Sequence, residues 1–362
     1  MLNKLARVWG AVAEARARLY QHGQLEVHRL PRPAISVGGI SIGGSGKTPA
    51  VAAITGLLLE AGQRPAILSR GYRRRGRTPL LVSHGDGRGP LVSVRRAGDE
   101  PTWLARLFPT AVVAVAAHRE RAAELALAAA SVDVFVLDDA FQHLRVSRQA
   151  DCLVVDSAAP FWCDAPVPAG RLRERHRAAA RADAFLLVGD DLVAAEVLEQ
   201  RYPDRPVFRL RSMPPLAWAF NDYGRSRAAD DVSGAPARGL EPAAVLALSP
   251  AQLPRPLYAF AGIARPQRFF DGLSAAGIEL AGHHRFPDHH FFRPSGLARV
   301  ADAARAAGAA GLITTEKDAV RIGSQALDLP LFVWRYRLRP QTPETVLSWL
   351  LRRLGNTAEQ AH

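Results

Sequence analysis

Read only for apolar and polar positions, the chain opens with a helix. Leu2, Leu5, Trp9, Val12 and Leu19 recur at helical spacing, with Lys4, Arg7, Arg16 and Arg18 set between them. Ile35 and Val37 begin a short apolar strand, which runs through glycines to Thr48. A helical face of Val51, Ile54, Leu57 and Leu58 follows and stops near Gly62. Further strands are predicted at Ala66–Ser69, Ala111–Ala116, Val132–Leu137, Cys152–Val155, Phe185–Val188 and Val207–Leu210. A helix of about ten residues follows Gly98-Asp99-Glu100-Pro101, and another spans His118–Ala129. Val132–Leu137 is almost continuously apolar, as a strand covered on both faces should be. From 212 to 256 the periodicity fades into Pro, Ala, Gly and Asp, which reads as a linker or crossing segment. A second unit then gives strands at Leu257–Phe260, Leu312–Thr315 and Leu331–Tyr336, a helix at Gln267–Ala276, and a closing helix.

Alternating strands and helices predict an α/β fold with a doubly wound, mostly parallel sheet. The expected divisions are an amphipathic helix at 1–24, a large lobe at 25–211, the crossing at 212–256 and a smaller α/β lobe at 257–362. Ligands in such sheets bind at the carboxyl ends of the strands.

The chemistry gathers at those ends. The stretch Ile35–Thr48, ISVGGISIGGSGKT, has the strand–loop–helix order of a phosphate-binding loop of P-loop NTPase type. Backbone N–H groups of Gly43, Gly44, Ser45 and Gly46 can ring a polyphosphate. Lys47 can reach the β/γ-phosphates, and Thr48 can place a hydroxyl on Mg²⁺. The motif asks for glycine five residues before Gly46, where this chain has Ser41. Asp138 and Asp139 close the buried strand and can hold Mg²⁺ directly or through water, although either alone could cap a helix. Transfer of a phosphoryl group to an alcohol also needs a group that orients or deprotonates the hydroxyl. Asp99 is one candidate, with helix capping as its alternative role. His289 is another, with Asp288 beside it to orient the ring. By chemistry alone Glu174 is a loop acid. The basic turn from Arg70 to Arg75 reads as a solvated face that, close to a phosphate loop, could hold an acidic substrate.

Composition narrows the setting. The 362 residues are 48% hydrophobic and 22% charged, which excludes a disordered chain. A net charge of +13 favours phosphates, whether in nucleic acid, anionic lipid or a phosphorylated substrate. Cys152 and Cys163 have no metal-like spacing and fit a reduced compartment. No apolar run is long enough to span a bilayer. The interleaved arginines of the first helix suit an anionic membrane surface, and equally a helix docked on the protein's own core.

Several motifs taken together resemble one family, the tetraacyldisaccharide 4'-kinases, or lipid A 4'-kinases, of Gram-negative bacteria. The resemblance lies in VGGISIGGSGKTP, SRGY at 69–72, GDEP at 98–101, LDDAFQHLRVSR at 137–148 and PAGRLRE at 168–174. It continues through FAGIARPQRFFDGL at 260–273, FPDHHFF at 286–292 and TTEKDAVR at 314–321. The motifs stand in family order and cover nearly the whole chain. The resemblance implies transfer of the γ-phosphate of ATP, with Mg²⁺, to the 4'-hydroxyl of a tetraacylated glucosamine disaccharide 1-phosphate, giving lipid IVA. It implies Lys47 and Thr48 at the phosphates and metal, Asp99 as base, and Asp138, Asp139 and Glu174 in metal-associated motifs. His143 and His289 fall in its active-site histidine motifs. It also implies work at the cytoplasmic face of the inner membrane on a lipid substrate. The family's Asp-Asp-Gly has Ala140 here in place of glycine. The first helix is less apolar than the family's usual anchor, so a peripheral or monotopic position is expected. Two other classes fit part of the chain. An NTPase switch would explain the loop and Asp138-Asp139 but not Pro-Asp-His-His or the amphipathic start. A nucleic-acid-binding protein would suit the charge, but no such module is present and the arginines are dispersed.

Overall fold

The computed structural model describes residues 2–220, 247–323, 325 and 327–355. Its centre is a nine-stranded sheet of β1 (Ala34–Gly38), β2 (Pro65–Ser69), β3 (Leu80–His84), β4 (Val112–Val115), β5 (Val134–Asp138), β6 (Ala150–Asp156), β7 (Ala184–Val188), β8 (Val207–Ser212) and β14 (Leu338–Pro340). Their order is β14-β8-β7-β6-β1-β5-β2-β4-β3. All neighbours are parallel except at the two edges, where β3 and β14 run antiparallel. Strands β1, β2, β5, β6 and β7 are buried at every position, which is why they read as unbroken apolar runs. Helices α2 (Lys47–Glu60), α4 (Asp99–Leu107), α5 (Arg119–Ala129) and α6 (Leu192–Arg201) cover it, with the short α3 (Val94–Ala97) before α4. Val51, Ile54, Leu57 and Leu58 of α2 lie in the main apolar core with Ile35, Val37, Ile67 and Val136 of the sheet.

Register places the chemistry. Val37 pairs with Asp138, and Leu68 pairs with Leu137. The ends of β1, β5 and β2 therefore coincide, bringing the glycine loop, Asp138 and Ser69 to one edge.

The smaller lobe is a five-stranded sheet in the order β11-β10-β12-β13-β9, built from β9 (Ala217–Ala219), β10 (Leu257–Ala261), β11 (Leu280–Arg285), β12 (Gly311–Thr315) and β13 (Leu331–Trp334). Helices α7 (Pro266–Ala275) and α8 (Pro294–Ala306) flank it. Helix α9 (Glu316–Ile322) faces the large lobe, and its Val320 joins the same buried cluster as Trp103, Leu104 and Ala105 of α4. Arg337 adds a tie, donating to Glu316 at 2.8 Å and lying over the Trp103 ring.

The path differs from the sequence divisions in two places. β9 falls within the expected crossing segment yet pairs antiparallel with β13 in the small sheet. β14 and the final helix α10 (Pro343–Gly355) return to the large lobe, where Val346 and Leu350 enter its core. The 257–362 boundary therefore breaks near 338, because a three-residue strand carries too little pattern to announce itself. The edge strands β3 and β11 were also unanticipated, and β11 is mostly half-buried or exposed. Of the crossing segment, 221–246 lies outside the described residues.

Helix α1 (Leu2–Gln21) packs through its small residues. Ala6, Gly10 and Ala17 are buried, and a Cβ on Gly10 would meet the Arg175 side chain at 2.8 Å. The Trp9 indole donates to the Arg173 carbonyl at 3.0 Å, and Arg175 donates to the Arg7 carbonyl at 2.8 Å. Leu2, Leu5, Val8, Trp9 and Val12 remain exposed, Val12 to 60%. The helix therefore docks on the protein, as one of the two expected placements has it, while its large apolar residues face outward.

Candidate active site

The loop takes its shape from left-handed glycines: φ is 65° at Gly43, 57° at Gly44 and 82° at Gly46. L side chains rarely adopt these angles, so the turn that precedes α2 requires glycine there. Lys47 Nζ lies 3.0 Å from the Ser41 carbonyl and 3.4 Å from Ser45 Oγ. Burial lowers its pKa, with the Asp139 carboxylate 3.9 Å away opposing that shift. The small lobe covers the loop. A Cβ on Gly44 would come within 2.8 Å of Arg265 Cγ, and one on Gly43 within 3.5 Å of Ala264 Cβ. Arg265 and Arg268 both pair with Asp156 at the end of β6, Arg268 at 2.8 Å.

Beside the loop sits an acidic pocket. Asp138 accepts from Ser69 Oγ at 2.8 Å through Oδ2, while Oδ1 is buried and has no hydrogen-bond partner among the described residues. Burial, reinforced by the Glu100 and Asp139 charges, raises the Asp138 carboxyl to about 7. Asp139 has a different environment. Arg173 holds both its oxygens, at 2.9 and 2.7 Å, and burial is outweighed by Lys47 and Arg173, which lower its pKa. Asp139 also carries a left-handed φ of 46°, so the adjacent carboxylates diverge and only Asp138 keeps an open oxygen. The Thr48 hydroxyl donates to Glu100 Oε1 at 2.9 Å, and Lys317 of α9 reaches that same oxygen at 2.7 Å.

The third element is assembled across the lobes. Asp99 Oδ2, at the start of α4, lies 2.7 Å from His289 Nδ1 in the small lobe. Gly98 (φ 95°) makes the turn that sets Asp99 at the helix entrance, and His289 itself has φ 61°. Burial would raise Asp99, but the His289 hydrogen bond and the Lys317, His289 and Arg321 charges hold it at about 2. The same hydrogen bond raises His289. Arg321 Nε stands 3.9 Å from Asp99 Oδ2, while its Nη2 donates to Asp318 at 2.6 Å and to the Gly262 carbonyl at 2.9 Å. Tyr72, Arg73, Gly98, Phe291 and Arg321 line a small cavity around the pair. Asp288 stands beside the ring as a longer ion partner, its carboxylate 3.7 Å from His289 Nε2, and its carbonyl accepts from Arg73 at 2.8 Å.

Three candidates stand outside this constellation. Glu174 was expected among the metal ligands, yet Arg181 engages both its oxygens at 2.8 Å and Gln142 donates to one of them at 2.9 Å. Gln142 also donates to the Gly39 carbonyl at 3.1 Å, so Glu174 braces the glycine loop and offers no free oxygen. His143 has a buried Nε2 with no hydrogen-bond partner among the described residues, and burial with the nearby Arg119 charge lowers it to about 3. It is a neutral ring, not the partner of Asp99. Arg70 is exposed. Sequence reasoning missed Glu100, Lys317, Arg173 and Arg321. Each sits in a motif already noted, but their roles depend on contacts between distant segments.

A glycine loop opening a buried helix, beside a strand-terminal carboxylate on a parallel sheet, defines the chain as a P-loop-type α/β protein. The family model described as tetraacyldisaccharide-1-P 4'-kinase (LpxK) matches residues 1–355. Curated tetraacyldisaccharide 4'-kinases are similar to it. The one from Desulfotalea psychrophila is 34% identical, covering 93% of this chain and 91% of its own. The one from Geobacter metallireducens is 36% identical, covering 89% and 88%. A solved structure, the "apo" form of LpxK from Aquifex aeolicus in complex with ATP, superposes with a TM-score of 0.73 at 27% identity, covering 97% of this chain and 98% of that one. The chain belongs to the tetraacyldisaccharide 4'-kinase family, and is a kinase.

Proposed function

We propose that this protein transfers the γ-phosphate of ATP, with Mg²⁺, to the 4'-hydroxyl of a tetraacylated glucosamine disaccharide 1-phosphate, yielding lipid IVA for lipid A synthesis. ATP is suggested by the nucleotide in the Aquifex aeolicus relative. The observation that carries the reading is the 2.7 Å contact of Asp99 with His289, made where the small lobe meets the phosphate loop.

The residues divide the work. Amides of the left-handed glycines bind the phosphates, and Lys47 neutralises charge between the β and γ groups. The acceptor oxygen attacks the γ-phosphorus in line, the bond to the bridging oxygen of the leaving diphosphate breaks, and the hydroxyl proton leaves to the Asp99–His289 pair. A carboxylate held near 2 is a weak base by itself. Asp99 and His289 therefore take the proton as one unit, whose titration belongs to the pair. A loose transition state asks only limited help from such a base.

The acidic pocket suits a divalent cation. Asp138 Oδ1 is buried and unpartnered among the described residues, and burial with the neighbouring Glu100 and Asp139 charges raises the carboxyl toward neutrality. Mg²⁺ prefers oxygen ligands and is held by one or two carboxylates together with substrate phosphates. Among the described residues no group of three or more His, Cys, Asp or Glu side chains forms a ready-made cage. Asp138, the Thr48 hydroxyl and Glu100 are the residues that would hold it. Bound there, it would offset charge on the transferred phosphoryl group.

The site is proposed to work at the cytoplasmic face of the bacterial inner membrane. No helix among the described residues is long and apolar enough to cross a membrane. The outward Leu2, Leu5, Val8, Trp9 and Val12 of α1, with its interleaved arginines, support docking on an anionic surface. Incubation with γ-labelled ATP and the acylated disaccharide 1-phosphate tests the whole reading. Label in the lipid, dependent on Mg²⁺, is expected; label in inorganic phosphate alone would favour a hydrolytic switch.

A further inference from the structure

Lys317 belongs to the small lobe, yet its ammonium lies inside the large lobe's acidic pocket. It stands 2.7 Å from Glu100 Oε1 and 3.3 Å from Thr48 Oγ1, and Thr48 donates to that same Glu100 oxygen at 2.9 Å. The Asp99 and Asp138 charges add to that of Glu100 in keeping it protonated despite burial. These are the oxygens that a divalent cation would need, next to Asp138 Oδ1, a buried carboxylate oxygen without a hydrogen-bond partner among the described residues. Two cations sharing them at contact distance would repel strongly, because a buried site screens like charges far less than water does.

We propose that Lys317 is a stand-in cation. In the nucleotide-free protein it occupies the place of the metal on Thr48 and Glu100, and on loading it yields that place and turns to the transferred phosphoryl group. The proposal rests on the phosphotransferase reading above and adds a residue to it. Its physical content is competition. While Lys317 neutralises the pocket, Mg²⁺ alone gains little there. When nucleotide phosphates bring more negative charge, both cations can be accommodated. Because α9 carries Lys317 on the first turn after Thr315 and packs on α4, the cation arrives only when the lobes are together. Lys47, by contrast, is part of the loop itself.

Lys317→Met removes the ammonium and leaves the Glu100 carboxylate with Thr48 alone among the described residues. In metal-free buffer its Tm should fall by several degrees, as expected when one partner of a buried ion pair is removed. Millimolar magnesium chloride, without nucleotide, should recover most of that loss, while sodium chloride at equal ionic strength should not. Wild-type Tm should barely respond to either salt. Lys317→Gln keeps a hydrogen-bond donor without the charge and should show the same magnesium response if the methionine variant folds poorly. Under turnover both variants should retain the wild-type KM for magnesium–nucleotide and lose roughly 10²-fold in kcat. A Tm loss that magnesium does not restore would make Lys317 an ordinary inter-lobe ion pair and overturn the proposal. So would a wild type that responds to magnesium as strongly as the variants, or a loss confined to KM. Failure of wild type to phosphorylate the lipid would instead overturn the parent reading, and the metal-only melting experiment does not depend on it.

Discussion

The proposed phosphate-handling centre and the proposed proton-accepting pair are built in opposite ways. Lys47 and Thr48 open α2 after the loop that follows β1, and Asp138 ends β5, the parallel neighbour of β1, in a register that places the strand ends together. Asp99 and His289 lie 190 residues apart, on different lobes, and meet through side chains. The first centre exists wherever the large sheet folds; the second exists only while α9 and the His289 loop rest on α4. On the proposed function, binding phosphate and accepting the acceptor's proton are thus separable, and a lipid hydroxyl would meet a complete site only at the lobe junction.

The largest effect should come from the sheet-borne centre. Lys47→Ala leaves the backbone cradle but removes the cation on the β/γ-phosphates, so kcat should fall by roughly 10³-fold or more, with a smaller change in nucleotide affinity. Steady-state kinetics with binding by calorimetry check this, and retention of half the activity would detach the loop from the chemistry. Asp99→Asn should lower kcat by roughly 10²–10⁴-fold with little change in KM for ATP. The two losses would then mark two different jobs, charge neutralisation and proton acceptance.

A smaller effect separates the centres by stability. The folded state raises Asp138 to about 7, above the ordinary carboxylate range, so folding binds a proton that the unfolded chain releases near pH 4. This group therefore leaves stability untouched below about pH 4 and subtracts from it increasingly as pH rises through 7. In chelator-treated protein, the Tm of Asp138→Asn relative to wild type should climb between pH 5 and pH 8. A pH-independent difference would contradict the unpartnered, desolvated state of this carboxylate. Asp99 has the opposite sign: its depressed pKa adds stability above the ordinary carboxylate range, which is lost as pH falls toward 2.

What could be read without a fold follows the same divide. Ile35–Thr48 and Val132–Asp139 are contiguous segments whose periodicity and terminal residues carry their own meaning, so the glycine loop and Asp138 were legible. Asp139 was legible as an acid but not as the partner of Arg173, because its positive φ, which turns it away from Asp138, leaves no mark in the residue type. Glu174 stood among the metal ligands through the family resemblance alone, and Arg181, seven residues later, takes that carboxylate. Lys317 and Arg321 were invisible as site residues, since their significance comes from α9 docking on α4. The turn of the chain back to the large lobe at β14 rests on three residues and had no periodic signal to follow.

The smallest effect concerns neither centre. Deleting Met1–Tyr20 removes the exposed apolar stripe of α1 and should reduce sedimentation with anionic vesicles, and added salt should weaken the binding that wild type shows. Unchanged sedimentation after deletion would return α1 to a purely packing role.

The central claim is that Asp99 and His289 act as one unit formed between the lobes, and a double-mutant cycle in kcat tests it most directly. Asp99→Asn, His289→Ala and the double variant are compared with wild type at saturating ATP and lipid acceptor. The account predicts a double variant that loses far less than the product of the two single losses, because either change alone disables the pair. Multiplicative losses, or near-normal kcat in Asp99→Asn, would show that the two residues do not share the proton and would contradict it.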